Sequence, residues 1–395
     1  MPGDAPTNVS AAENLAARRR ELAWLFLRLG CTSFGGPAVH MALMEDEVVR
    51  RRGWMTREKF VDLLGATNLI PGPNSTEMAI HIGWLVGGRA GFFIAGLCFI
   101  LPAVLLVTAI AWAYVRWGTL PQVEGVLYGI KPVVVAVVAQ ALWRLGRTSV
   151  RTRFLAAVGI AATLASYFGW HELLVLFGAG VLVATIEGLR HRGKPGGMAA
   201  AAAWLGWPAI PLAQGAVALA GASPVTLEGI FLFFLKVGSV LFGTGYVLLA
   251  FLRADLVERW HWLTESQLLD AIAVGQVTPG PIFTTATFIG YVLAGVPGAA
   301  LATIGIFLPA FVFVAISGPL VPRLRESRLA AAFLDGVNVA ALALMAVTTW
   351  QLGRAAIVDY TTLALAGISA LLLIRYQLNA TWLILGGAAI GWMIS

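Results

Sequence analysis

Unbroken apolar runs of roughly 20 residues recur along this chain, as at 90–112 and 125–143, and each is long enough to cross about 30 Å of hydrocarbon. A segment inside lipid must satisfy its own backbone hydrogen bonds, so these runs are expected to be helices. The fold class that follows is an all-α polytopic membrane protein. Charged residues make up only 12% of the chain, about half the share of a soluble domain, which argues against a soluble fold. Residues 1–17 are polar and lack an apolar core with a small-residue cleavage site, so insertion is expected to start at the first hydrophobic segment.

The chain also repeats itself. In one register Phe26, Leu27, Gly30, Phe34 and Gly35 align with Phe234, Leu235, Gly238, Phe242 and Gly243, and Trp54, Thr56, Asp62, Pro71, Gly72 and Pro73 align with Trp262, Thr264, Asp270, Pro279, Gly280 and Pro281. After a single deletion Gly83, Gly88, Gly91, Pro102, Gly129, Trp143 and Arg147 fall on Gly290, Gly295, Gly298, Pro309, Gly336, Trp350 and Arg354. Duplication with fusion explains such a register, and secondary transporters are often built this way.

Basic residues in short loops tend to stay cytoplasmic. Arg144, Arg147, Arg151 and Arg153 follow Trp143, whereas Arg354 alone follows Trp350; one connection earlier, Arg116 alone faces Arg323, Arg325 and Arg328. The bias switches sides, so the halves are expected to be inverted. Inversion needs an odd number of crossings between them, and the apolar stretch 198–220, which matches nothing in the repeat, is expected to supply the linking helix. The organisation expected is a cytoplasmic tail at 1–20, a first repeat at 21–194 with an out-and-back pair at 154–189, a linking segment at 195–225 and a second repeat at 226–395.

The +7 net charge follows this loop pattern, and no nucleic-acid partner is expected. Arg50, Arg51, Arg52, Arg57 and Lys59 should be cytoplasmic like Arg18 to Arg20, so residues 22–44 fit a re-entrant hairpin turning at Gly35, Gly36 and Pro37. Residues 60–88 fit another, turning at Pro71 to Pro73. Full crossings throughout give about 13 spans and two hairpins per half give about nine.

A helix broken inside a membrane presents free N–H groups and a positive dipole end, which suits an anion. The run Pro71, Gly72, Pro73, Asn74, Ser75, Thr76 has this form, with backbone N–H groups of the last three as expected donors; Pro279, Gly280 and Pro281 recur with Thr284 and Thr285. A kink needed only for packing is the bland alternative. Charges within apolar segments come next. Arg28 aligns with Lys236, either to attract an anion or to form ion pairs, Arg28 with Asp62 and Lys236 with Asp270. Lys131 aligns with Asn338, and either breaks the symmetry of the halves or snorkels. Glu77 and His81, four apart, can pass a proton if they face inward, and Asp62 is a further proton-coupling candidate; His40 contacts substrate or packs. Cys31 and Cys98 are expected in the core, with neither disulfide nor metal spacing. No catalytic constellation or phosphate-cradling loop is present, so neither enzyme activity nor a cofactor is expected.

Phe34, Gly35, Gly36 and Pro37 with His40, then Trp54, Phe60, Asp62 and Leu63, then Pro71 to Pro73, resemble the chromate ion transporter family. The resemblance runs from Phe26 to the C-terminus and matches the long, two-domain members. The second half departs from it, with Phe242, Gly243, Thr244 and Gly245 at the first motif and Leu248 at the place of His40. The resemblance implies efflux of chromate across the bacterial inner membrane and chromate resistance, with sulfate as a competing tetrahedral dianion. A carrier or channel for another oxyanion is the alternative, and association into a homodimer is left open.

Overall fold

A computed structural model describes residues 8–34, 36–118, 120–190, 224–242, 245–317 and 327–394, which are helical and contain no strand. The expected linking helix at 198–220 and candidate Gly35 lie outside these residues. The first half comprises α1 (Asn8–Thr32), α2 (Pro37–Glu45), α3 (Arg57–Thr67), α4 (Asn74–Trp117), α5 (Pro121–Ser149), α6 (Arg153–Tyr167) and α7 (Glu172–Arg190). The second comprises α8 (Leu227–Val240), α9 (Leu248–Leu252), α10 (Glu265–Val277), α11 (Thr285–Ser317), α12 (Arg328–Ala356), α13 (Tyr360–Arg375) and α14 (Ala380–Ile394).

Equivalent helices start on equivalent caps. Thr56 and Thr264 accept from Lys59 and Gln267 N–H groups, and Thr152 and Asp359 accept from those of Leu155 and Thr362. Among the described residues, five elements are long and apolar enough to cross a membrane. Phe93, Leu97, Leu101 and Leu105 form an exposed stripe on α4, a surface suited to lipid rather than water.

α4 is two helices. At Gly88 the backbone takes φ 63° and ψ −150°, and the chain folds back, so that a methyl on Gly83 would overlap the Gly91 carbonyl and one on Gly96 would lie 2.8 Å from Ile80. α11 turns in the same way at Gly295, and Thr287 Oγ1 meets Thr303 Oγ1 at 2.7 Å across the hairpin. The first arm of α4, residues 74–87, is about 21 Å long, too short to cross.

Both expected out-and-back hairpins are present. Returning from α2, Glu47 reaches Arg28 and Arg52 reaches Glu21. α3 likewise runs against the first arm of α4: Asn68 binds Asn74 beside the break, and the charge of Lys59 acts on His81 farther along. The returning arm α2, with 9 residues, and α3, with 11, are as short as the re-entrant alternative requires.

The equivalent helices α5 and α12 lie antiparallel. Tyr128, near the start of α5, donates to Asp359 just past the end of α12 at 2.6 Å, while Arg151, past the end of α5, acts on Asp335 near the start of α12. The two halves are therefore inverted with respect to each other. They also interlock, because α5 crosses α14 at Gly129 and Gly387 and α12 crosses α7 at Gly336 and Gly180. Small residues let these backbones touch.

Candidate functional site

Each Pro-Gly-Pro break docks on the first helix of the opposite half. Gly72 N–H donates to the Leu241 carbonyl at 2.8 Å, and Gly280 N–H donates to that of Ser33 at 3.0 Å. Leu241 follows α8 as Ser33 follows α1, so the bonds are equivalent across the repeat. Gly72 and Gly280 hold φ +138° and +93°, conformations that glycine adopts without strain. Each break is thus tied to the end of the first helix of the opposite half, where the halves meet.

Proline 73 opens the first arm of α4, and its carbonyl accepts from Thr76 and Glu77 N–H groups at 2.7 and 3.1 Å. The Thr76 amide, expected to be a free donor, is therefore engaged. Asn74 and Ser75 hold the first two helical positions, whose N–H groups have no acceptor within the helix. Their donors face out of the helix end, where its dipole is positive.

The two sequence motifs converge here. The His40 ring, 1% exposed, lies 3.2 Å from the Ser33 carbonyl through Nε2 and 3.1 Å from Ser75 Oγ through Nδ1. A carbonyl only accepts, so Nε2 carries the proton in this arrangement, and Ser75 Oγ–H donates to Nδ1. His40 thereby ties the first hairpin to the second. Gly36, with φ +82°, starts α2 beneath it, and a methyl added there would sit 3.7 Å from Ile282 of the opposite half.

Around the break several buried polar atoms have no partner among the described residues: Ser33 Oγ, Asn74 Oδ1, Thr76 Oγ1, both Glu77 carboxyl oxygens and His81 Nε2. Such atoms are rare in folded proteins, and a cluster of them offers hydrogen-bonding groups to water, an ion or a ligand. Glu77 is 0% and His81 8% exposed, so the pair faces inward rather than outward. At the equivalent positions the second half places Leu241, Ile282, Phe283, Thr284, Thr285 and Ile289. The cluster of buried polar groups therefore belongs to the first half, and most of its equivalents in the second are apolar.

The cations lie in separate ion pairs. Arg28 pairs with Glu47 rather than Asp62, and Lys236 pairs with Asp255 at 2.6 Å rather than with Asp270. Glu47 and Asp255 are equivalent across the repeat, as are their further partners Arg51 and Arg259. These acids sit in a wide helical turn after α2 and α9, which aims them back at the first helix. An acid retained at the same register position in both halves was a readable signal that the sequence analysis passed over. Asp270 instead pairs with Lys131 at 3.3 Å and accepts from Tyr114 at 2.9 Å, while Lys131 donates to Ser266 at 2.7 Å. Lys131 is thus a bond between halves, not a snorkelling side chain. Asp62 lies on the exposed face of α3. The cysteines depart from the expected core placement, Cys31 being exposed and Cys98 half-buried, because each lies on a helix flank turned from the packed face.

Lys236 and Arg28 are expected to differ in consequence. The Lys236 and Asp255 side chains are 6% and 1% exposed, whereas Arg28 is 40% exposed. Lys236→Met leaves Asp255 buried with Arg259 alone and should destabilise by about 3 kcal/mol, while Arg28→Gln should change stability by less than about 1 kcal/mol. Thermal unfolding of the two purified variants in detergent checks this, and equal effects would refute it.

A family model described as "Chromate transporter" matches residues 20–184 and 229–392, one match to each half. The chain is 32% identical over 381 residues to a chromate transport protein of Cupriavidus metallidurans, covering 94% of this chain and 92% of that one. It is equally similar, at 32% identity, to a chromate transport protein of Pseudomonas aeruginosa, with 93% and 91% covered. An uncharacterized transporter of Bacillus subtilis is 28% identical over 152 residues, which is 38% of this chain but 77% of the relative; a single repeat thus occurs as a chain of its own. No solved structure matches.

Proposed function

Because the chain belongs to the chromate transporter family, we propose that it is a secondary transporter that exports chromate across the bacterial inner membrane and confers chromate resistance. Its substrate site is the helix end at the first break. What supports this reading above all is the set of buried, unpartnered polar groups gathered there by two short hairpins. A tetrahedral dianion fits the donors on hand, namely the Asn74 and Ser75 N–H groups and the Ser33 and Thr76 hydroxyls. None of these carries a full charge, so binding is strong enough to strip water yet weak enough to release. Alternating access then follows from the inverted halves, in which each break is held to the opposite half by a backbone hydrogen bond.

The paired cations have a supporting part. Arg28 and Lys236 hold the returning hairpin arms and bias the potential at the membrane edge, while Lys131 and Asp270 couple the halves. Sulfate and molybdate share the geometry and charge of chromate and are expected to compete.

Everted membrane vesicles containing the protein should accumulate labelled chromate in excess of control vesicles, and unlabelled sulfate should reduce that uptake. Cells making the protein should grow at chromate concentrations that stop cells lacking it. Ser75→Ala, which removes no backbone donor but leaves the buried His40 Nδ1 without its partner, should slow transport by roughly tenfold without abolishing it. Vesicles that take up no chromate, sulfate or molybdate above control would reject the proposal.

A further inference from the structure

Glu77 is the feature that anion transport leaves unexplained. Its side chain is 0% exposed and neither carboxyl oxygen has a protein partner. It lies against the inner side of the Pro71–Pro73 turn, where a methyl on Gly72 would overlap Oε1. Three residues separate it from the free Asn74 N–H, a rise of about 4.5 Å along the helix. A charged carboxylate and a dianion at that distance, both shielded from bulk water, repel each other strongly. The same helix end cannot hold both.

The groups facing Glu77 offer no lasting counter-charge. On its own helix His81 lies one turn on, with Nε2 unpartnered; α3 brings Lys59, whose charge acts on His81; α2 brings His40, held by Ser33 and Ser75. α1 brings Arg19, bonded to the Gly87 carbonyl at the far end of the arm. α11, which approaches Gly72 through Ala310, contains no acidic or basic residue. Lys236 of α8 is already paired with Asp255.

We propose that Glu77 binds a proton whenever the oxyanion occupies the helix end, so that proton and anion bind together and cross the membrane together. The proposal rests on the transport reading above and adds the coupling ion and its direction. While the halves are closed around it, Glu77 is buried without a counter-charge and holds its proton; when the site opens to water the proton leaves to solution as the anion departs, and one returns onto the carboxylate as the next anion arrives. Proton and anion thus favour each other's binding by equal factors. Export against a proton gradient is then driven by membrane potential acting on the remaining negative charge.

The test is chromate binding to the purified wild-type and Glu77→Gln proteins in detergent, from about pH 6 to about pH 9. Wild-type affinity should fall toward a limit of about tenfold per pH unit above the Glu77 titration. Glu77→Gln should bind chromate with only the pH dependence of the anion itself. Proton uptake by the wild-type protein, followed with an indicator dye in weak buffer, should approach one per bound anion beyond that of chromate, and needs no variant. Proton release on binding, identical pH profiles for the two proteins, or a requirement for sodium that choline cannot replace would overturn the coupling while leaving oxyanion transport standing. Absence of chromate, sulfate and molybdate binding at every pH, together with no uptake by vesicles, would instead overturn the transport reading and this inference with it.

Discussion

Replacing Gly72 with valine should abolish chromate transport, by at least about 100-fold. Gly72 holds φ +138°, and a substituted residue there is strained by about 1–3 kcal/mol before any contact is counted. Its first added carbon would overlap Glu77 Oε1 and lie 3.8 Å from Ala310. Either Glu77 leaves the turn or the turn opens, and opening breaks the bond from Gly72 N–H to Leu241. The Glu77 carboxyl is what lies against this glycine. Gly88→Ala is the control, since Gly88 also has positive φ (63°) but nothing lies within 4 Å of an added methyl. It should suffer the strain and keep measurable transport. Vesicle uptake normalised to folded protein decides the matter, and a folded Gly72→Val protein working at the parental rate would show the turn to be a packing kink.

The second large effect is expected far from the break, at Gly129 and its equivalent Gly336. A methyl on Gly129 would overlap the Gly387 carbonyl and lie 2.9 Å from Gly391 Cα; one on Gly336 would lie 2.5 Å from the Ala179 carbonyl and 2.8 Å from Gly180 Cα. All four obstacles are backbone, which cannot turn aside as a side chain does. Gly129→Val and Gly336→Val should each destabilise by about 3 kcal/mol and lower the melting temperature by about 10 °C, with most of the protein lost from the membrane. Gly386→Ala, one residue from the crossing with nothing within 4 Å, should be neutral. Melting curves in detergent that coincide for Gly129→Val and Gly386→Ala would disprove the interlocked crossing.

Much of the architecture was legible in the chain because it depends on local composition or on register. Apolar runs demanded helices, and a duplicated register demanded two like halves. Opposed basic loops implied the inversion that α5 and α12 display. Gly36 with Pro37, and Pro71 to Pro73, marked where hairpins turn, since proline ends a helix wherever the surrounding fold lies. Gly88 and Gly295 were noticed only as repeat partners. The apolar runs continue through them, and hydropathy alone does not distinguish a long helix from one folded back on itself.

The partners of charged residues were another matter. Arg28 pairs with Glu47 and Lys236 with Asp255 because the hairpin returns at a particular pitch through a wide turn, and no periodicity within one helix encodes that return. Lys131 and Asp270 meet only because the halves interlock. The sequence thus determined by itself that the chain is a duplicated, helical membrane protein with glycine–proline breaks, because helix formation in lipid and helix breaking are short-range properties. Tertiary structure alone decided that His40 meets Ser75, that Gly72 N–H is held by the opposite half, and that Glu77 is buried without a partner. Each of these depends on distances between segments far apart in the chain, and those distances exist only once the helices have packed.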